Sequence, residues 1–145
     1  MTTNKKHVPH TPPATIDRND GHTLNLGMIG NGTIAAIIDP KGTFQWMCLP
    51  RFDGEPVVDT LLGGNAKFSV EMEHLDHIEQ YYDRNTAVLV TELTDTNGAK
   101  IAIRDFAPRF TERGRRFRPM MVIRNIRCLQ GAPRVRIKAE FSSNW

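Results

Sequence analysis

Two short segments place arginine, an aromatic ring and a turn together, and they are the strongest candidates for chemistry in this chain. In the first, the apolar run Trp46–Leu49 stops at Pro50 and the chain turns through Arg51, Phe52, Asp53 and Gly54. A guanidinium and a carboxylate two residues apart can close on each other as a salt-bridged turn. They can also hydrogen-bond a hydroxyl-rich ligand, with Phe52 as an apolar platform. The second segment repeats the logic: Phe106-Ala107-Pro108-Arg109-Phe110, then Gly114-Arg115-Arg116-Phe117-Arg118-Pro119. Five arginines (Arg109, Arg113, Arg115, Arg116 and Arg118) face only Glu112 there. Arginine interleaved with phenylalanine can dock on an acidic protein surface through bidentate pairs, or can bind nucleic acid by phosphate contact and stacking. A net charge of +3 is too small for a nucleic-acid binder and favours docking or an internal pairing role.

Other candidates read as structure. Gly27-Met28-Ile29-Gly30-Asn31-Gly32 has the spacing G-x-x-G-x-G, and a strand rather than a helix follows it. Without a helix N-terminus the segment is a tight turn into a hairpin and not a phosphate cradle. His74 and His77 lie among Glu73, Asp76 and Glu79, but the i, i+4 histidine pair of a zinc helix is missing. That stretch reads as a solvated connection, and no metal site is expected. There is no G-x-S-x-G, and Cys48 sits in an apolar strand beside Trp46, where a thiol is inert. Cys48 and Cys128 form no zinc spacing, so both are expected as free, buried thiols.

These loops need a scaffold, and the chain supplies strands. Its 145 residues make one domain of ordinary size, 39% hydrophobic and 24% charged. Residues 1–20, with Pro9, Pro12 and Pro13, read as a flexible, disordered tail before a domain spanning 21–145. Thr33–Asp39 and Thr43–Leu49 flank Asp39-Pro40-Lys41-Gly42, a turn sequence, and so form a hairpin. Thr86–Asp95 and Lys100–Phe106 flank Thr96-Asn97-Gly98-Ala99 and form another. Met120–Leu129 and Arg134–Phe141 flank Gln130-Gly131-Ala132-Pro133 and are expected as a third. Ala66–Glu73 alternates, with Phe68, Val70 and Met72 on one face. Val135, Ile137, Ala139 and Phe141 share a face in the last strand. Asp59–Leu62 suits a single helical turn, and His74–Tyr82 reads as a short helix or an irregular crossover. The architecture that fits is all-β, an antiparallel β-sandwich.

Leu26–Asp39, Trp46–Pro56 and Asp105–Arg124, with Arg84–Leu89, occur in the order that resembles the N-terminal β-sandwich domain of bacterial and archaeal glycoside hydrolase family 15. This is the trehalase-like and glucoamylase-like group. The resemblance covers about Asn19 to the chain end. It implies a supersandwich-like fold placed before an (α/α)6 barrel, whose two glutamates hydrolyse α-glucosidic bonds with inversion. The substrates it implies are trehalose or α-glucan ends. The resemblance assigns no catalytic residue to this chain, whose family glutamates would lie beyond Trp145, and it implies no cofactor.

The expected role is therefore accessory. Arg51, Phe52, Asp53, Arg109, Phe110 and Arg118 are the candidates for contact with the barrel or for shaping the substrate entrance. The partners expected are that barrel and, indirectly, an α-glucoside or trehalose, in the cytoplasm and without a membrane. Two other readings stand beside it. One is a stand-alone carbohydrate-binding module using Trp46, Phe52 or Trp145. The other is a small basic adaptor using Arg109–Arg118 on an acidic partner or nucleic acid. A sandwich short of strands after Phe141 leaves an unpaired edge near Arg134–Phe141, where self-association is expected.

Overall fold

The computed structural model describes residues 25–142. The expectation for residues 1–20 and the candidate platform Trp145 lie outside that range. The described residues form twelve strands: β1 (Gly27–Gly30), β2 (Ala35–Ile38), β3 (Phe44–Cys48), β4 (Pro56–Val58), β5 (Lys67–Met72), β6 (Leu75–Tyr82), β7 (Leu89–Asp95), β8 (Lys100–Phe106), β9 (Phe110–Glu112), β10 (Arg115–Phe117), β11 (Ile123–Gln130) and β12 (Val135–Glu140). Among the described residues the one helical element is the single 3-10 turn Thr60–Leu62, within the Asp59–Leu62 segment read as one turn. Among the described residues no helix is long and apolar enough to cross a membrane.

Ten of these strands form two facing antiparallel sheets, and β9 and β10 pair as a separate two-stranded ribbon. One runs β1-β2-β3-β5-β12, with β4 also on β3; the other runs β11-β8-β7-β6. Between them lie two apolar clusters. At one end Ile29, Ile38, Phe44, Met47 and Val58 of the first sheet meet Leu89 of the second. At the other, Val70 and Met72 meet Leu93, Ile101 and Ile103. The period-two alternation of these strands sends every second side chain between the sheets.

Two hairpins form where the turn chemistry placed them, and they are built alike. Gly42 N–H donates to Asp39 O at 2.9 Å, and Gly98 N–H donates to Asp95 O at 3.0 Å. Each aspartate then accepts a backbone N–H at its own Oδ1, from Thr43 and Ala99, both at 2.8 Å. Gly42 and Gly98 have φ of 78° and 81°, the left-handed conformation this closure requires. Asn97 does not share it, so the Asn-Gly pair works through its glycine alone.

Three expectations are corrected. The segment His74–Tyr82 is neither helix nor crossover: after a turn at His74, β6 pairs antiparallel along β7. The third hairpin does not form. β11 pairs with β8 and β12 with β5, so the Gly131 turn carries the chain from one sheet to the other. Pairing with each other would have given the two strands one ladder; crossing gives two, and covers an edge on each sheet. Finally, Cys48 is buried but Cys128 is exposed. Cys128 lies opposite Ile101, but β11 is an edge strand, and no described strand pairs with its outer edge.

On the outer face of the second sheet, Tyr81 Oη donates to Glu92 Oε1 at 2.8 Å, and the Lys100 ammonium also bonds Glu92. Burial first, then the Glu92 carboxylate, pushes the Tyr81 phenol up from 10.0 to about 12. A group raised on folding contributes stability that is complete below its unfolded pKa and is lost as pH climbs through the folded one. The unfolding midpoint should therefore fall between pH 10.0 and about 12, and Tyr81→Phe should flatten that fall. Tyrosinate absorbance of the folded chain checks it; Tyr81 ionising near 10.0 would contradict it.

Candidate functional site

Both arginine-bearing segments are tied to one turn, residues 31–33 between β1 and β2. Asn31 is 2% exposed. Its Nδ2 donates to Pro108 O at 3.1 Å and to Pro119 O at 2.8 Å, while its Oδ1 accepts from Thr33 N–H at 3.0 Å and Ile34 N–H at 3.2 Å. Both donors and both acceptor lone pairs of this amide are thus used, the acceptors on its own turn and the donors on a distant segment. Pro108 and Pro119 bracket the β9–β10 hairpin, so Asn31 pinches that hairpin at its base. Gly32 has a φ of 88°, the left-handed conformation that favours glycine, and the Arg118 guanidinium lies alongside it. The Pro50–Gly54 loop joins the same turn, because Phe52 N–H donates to Thr33 O at 3.2 Å.

The stretch Arg109–Arg118, read from sequence as a loop, is a short hairpin of β9 and β10. The Phe110 and Phe117 rings stack with centroids 5.3 Å apart and remain exposed. Arg109, Arg113, Arg115, Arg116 and Arg118 are all exposed. Among the described residues none of the five has an acid within salt-bridge distance. An unpaired cluster beside an aromatic pair suits an external carboxylate-bearing surface.

Arg51 and Asp53 behave as a self-contained pair: Nε donates to Oδ1 at 2.9 Å and Nη2 to Oδ2 at 2.7 Å. The Arg51 hydrogen bond is the main cause that holds the Asp53 carboxyl below its usual value. Both side chains are exposed, and Phe52 stands 56% exposed between them. Of the sugar-platform candidates, Trp46 lies half-buried on β3, in the outward register opposite Ile37. Burial first, then Glu55 and Asp53, pushes the Cys48 thiol up, which suits an unreactive core residue. Among the described residues no group of three or more His, Cys, Asp and Glu is arranged to hold a metal ion. His77 Nε2 instead lies 3.1 Å from Glu79 Oε1 on the strand surface.

Sequence reasoning missed two residues. Asn31 read only as a turn former, because its proline partners lie 77 and 88 positions away. Arg124 read as part of a strand, yet its side chain is 4% exposed and reaches across the core. It bonds Asp105 twice, at 2.7 and 2.8 Å, and Nη2 donates to Gly42 O at 2.6 Å. Nη1 donates to Phe68 O at 3.3 Å, and Cζ lies 4.5 and 4.6 Å from the Phe44 and Phe68 ring centroids. One guanidinium thus links β8 and β11 to the facing sheet.

Fold and rim together define a two-sheet, all-β module with an arginine-bearing rim. The chain belongs to the family described as trehalase-like, N-terminal, which matches residues 17–138. It is 32% identical over 87 residues to a trehalase of Thermoplasma volcanium, covering 57% of this chain and 14% of that protein. It is 39% identical over 85 residues to trehalase 1 of Sulfolobus acidocaldarius, covering 57% of this chain and 15% of that protein. The matched part of the chain is therefore about one seventh of the length of these curated relatives. No solved structure matches it significantly.

Proposed function

We propose that this chain is the accessory N-terminal domain of a trehalase-type glycoside hydrolase of family 15, in the cytoplasm, and that its arginine rim docks on the catalytic barrel beside the substrate entrance. The observation that carries this reading is the β9–β10 hairpin: five exposed, unpaired guanidiniums around a stacked aromatic pair, pinned at the base by a buried amide. A fixed base keeps the ordering cost of docking low. The charges suit an acidic surface on the barrel. Arg51, Phe52 and Asp53 hang from the same turn and would extend the contact. Both curated relatives named above are trehalases, which favours trehalose over α-glucans as the parent enzyme's substrate. Hydrolysis belongs to the barrel's two glutamates; this domain supplies position and shape.

A chimera tests the reading. Residues 17–138 replace the matching segment of the Sulfolobus acidocaldarius trehalase, and trehalose hydrolysis is measured. Arg115→Glu with Arg116→Glu should lower activity by about tenfold or more, since like charges then face each other across the contact. Arg51→Ala should lower activity more than it lowers the unfolding midpoint of the isolated chain, because an exposed ion pair is worth only about 0–1 kcal/mol. Unchanged activity in both variants would refute the docking role.

A further inference from the structure

A left-handed backbone is accepted most readily by asparagine, aspartate and histidine among the side chains that have a Cβ. Among the described residues three non-glycine positions have positive φ. Two are His74 and Asn85, at 53° and 59°, which are side chains of the accepting kind. The third is Arg113, at 48°. With Gly114, whose φ is 75°, it forms the tip of the β9–β10 hairpin. A two-residue turn of this hand asks for asparagine, aspartate or glycine at its first position. Arginine there weakens the free hairpin, and nothing described offsets it: Arg113 is exposed, and no described acid lies within salt-bridge distance.

The register gives the ribbon two unlike faces. Phe110 pairs with Phe117 and Glu112 with Arg115, so these four side chains share one face. Thr111 pairs with Arg116 on the other. The first face carries the stacked rings, 49% and 41% exposed. The second carries a guanidinium and a hydroxyl. Every residue from 109 to 118 is exposed, on both faces and at the tip.

We propose that the ribbon is a wedge that enters a cleft on the catalytic barrel. The cleft has an apolar wall against Phe110 and Phe117, an acidic wall against Arg116, and a carboxylate at its bottom for Arg113. The wedge rests on the docking role proposed above and adds the shape and chemistry of the partner. A flat surface covers one face of a two-stranded ribbon and leaves the other in water. Laid on the rings, it leaves Arg116 unpaired; laid on Arg116, it leaves the rings wet. In either pose the strained arginine at the tip has no partner ahead of it. End-on insertion uses both faces and the tip together. The tip stands roughly 15 Å beyond the prolines held by Asn31, at about 3.3 Å per strand residue, and the cleft must be about that deep. Arginine suits its bottom, because the planar fork binds a carboxylate through two parallel hydrogen bonds.

The adjacent residues Thr111 and Glu112 report on the two faces. Thr111→Cys and Glu112→Cys are made singly with Cys128→Ser, in the full chain and in the chimera with the Sulfolobus acidocaldarius trehalase. Alkylation by iodoacetamide is timed by mass spectrometry. Both cysteines should react about tenfold or more slowly in the chimera than in the full chain. Protection of one alone means side-on docking; it overturns the wedge and leaves the docking role standing. Protection of neither overturns both. Arg113→Asn separates strain from contact. In the full chain it should slow amide exchange across β9 and β10 several-fold, because Asn-Gly suits the turn. In the chimera it should lower trehalose hydrolysis about tenfold, as loss of an anchoring arginine does. A variant that steadies the ribbon and keeps full activity shows a tip without a partner, and overturns the wedge. So does faster exchange in the full chain, which would make Arg113 a support of the fold.

Discussion

Replacing Arg124 by methionine should cost about 3–5 kcal/mol, a large part of a typical domain's stability. The guanidinium is nearly buried and Asp105 wholly so. Its removal leaves the buried Asp105 carboxylate without a counter-charge, strips the cation from between Phe44 and Phe68, and takes the donor from Gly42 O and Phe68 O. The charge itself is the expensive element. Arg124→Met with Asp105→Leu should therefore be clearly more stable than Arg124→Met alone, because no unpaired ion remains. Burial already pushes the Asp105 carboxyl above 3.8 against the pull of Arg124. A raised carboxyl favours the folded state at low pH and loses that advantage as pH rises through its folded pKa. The penalty of Arg124→Met should therefore be greatest near neutrality and shrink in acid, where Asp105 binds a proton. Urea unfolding of the wild type and both variants at two pH values reads all of this. A double variant as unstable as the single one would mean that packing, and not charge, sets the cost.

The second large effect is expected at Asn31. Asn31→Ala orphans the Pro108 and Pro119 carbonyls and opens two backbone N–H groups at the turn, at a cost of about 2–4 kcal/mol. Asn31→Asp should be worse, because a buried carboxylate would face two carbonyl oxygens where an amide donated to both. The damage should be local before it is global. Amide exchange in β9 and β10 should accelerate in Asn31→Ala, while β7 and β8 stay protected under native conditions. Uniform acceleration across both sheets would show that Asn31 supports the whole sandwich rather than the rim.

What could be read in the residues, and what could not, follows from the range of the interactions. The Asp39–Gly42 and Asp95–Gly98 turns close on themselves through their own backbone and aspartate side chains, so four or five residues carry the whole signal. The alternation of β5 and β12 is equally local. β6 hid because it is an edge strand with polar residues on both faces: its inward Gln80 and Tyr82 reach backbone groups of the other sheet, which looks nothing like an apolar stripe. The separation of β11 from β12 was hidden for another reason. Two adjacent strands joined by a turn sequence look alike whether they pair with each other or with distant edges. At the candidate site, the Arg51–Asp53 pair was open to reading because it spans two residues. The convergence of both rims on residues 31–33 depends on bonds across the whole chain and left no local mark.

The docking role is tested most directly by amide exchange on the chimera with the Sulfolobus acidocaldarius trehalase, compared with the isolated chain. The account predicts new protection confined to residues 51–54 and 109–118. Unchanged exchange in both segments, with protection arising on another face of the sandwich, would contradict it.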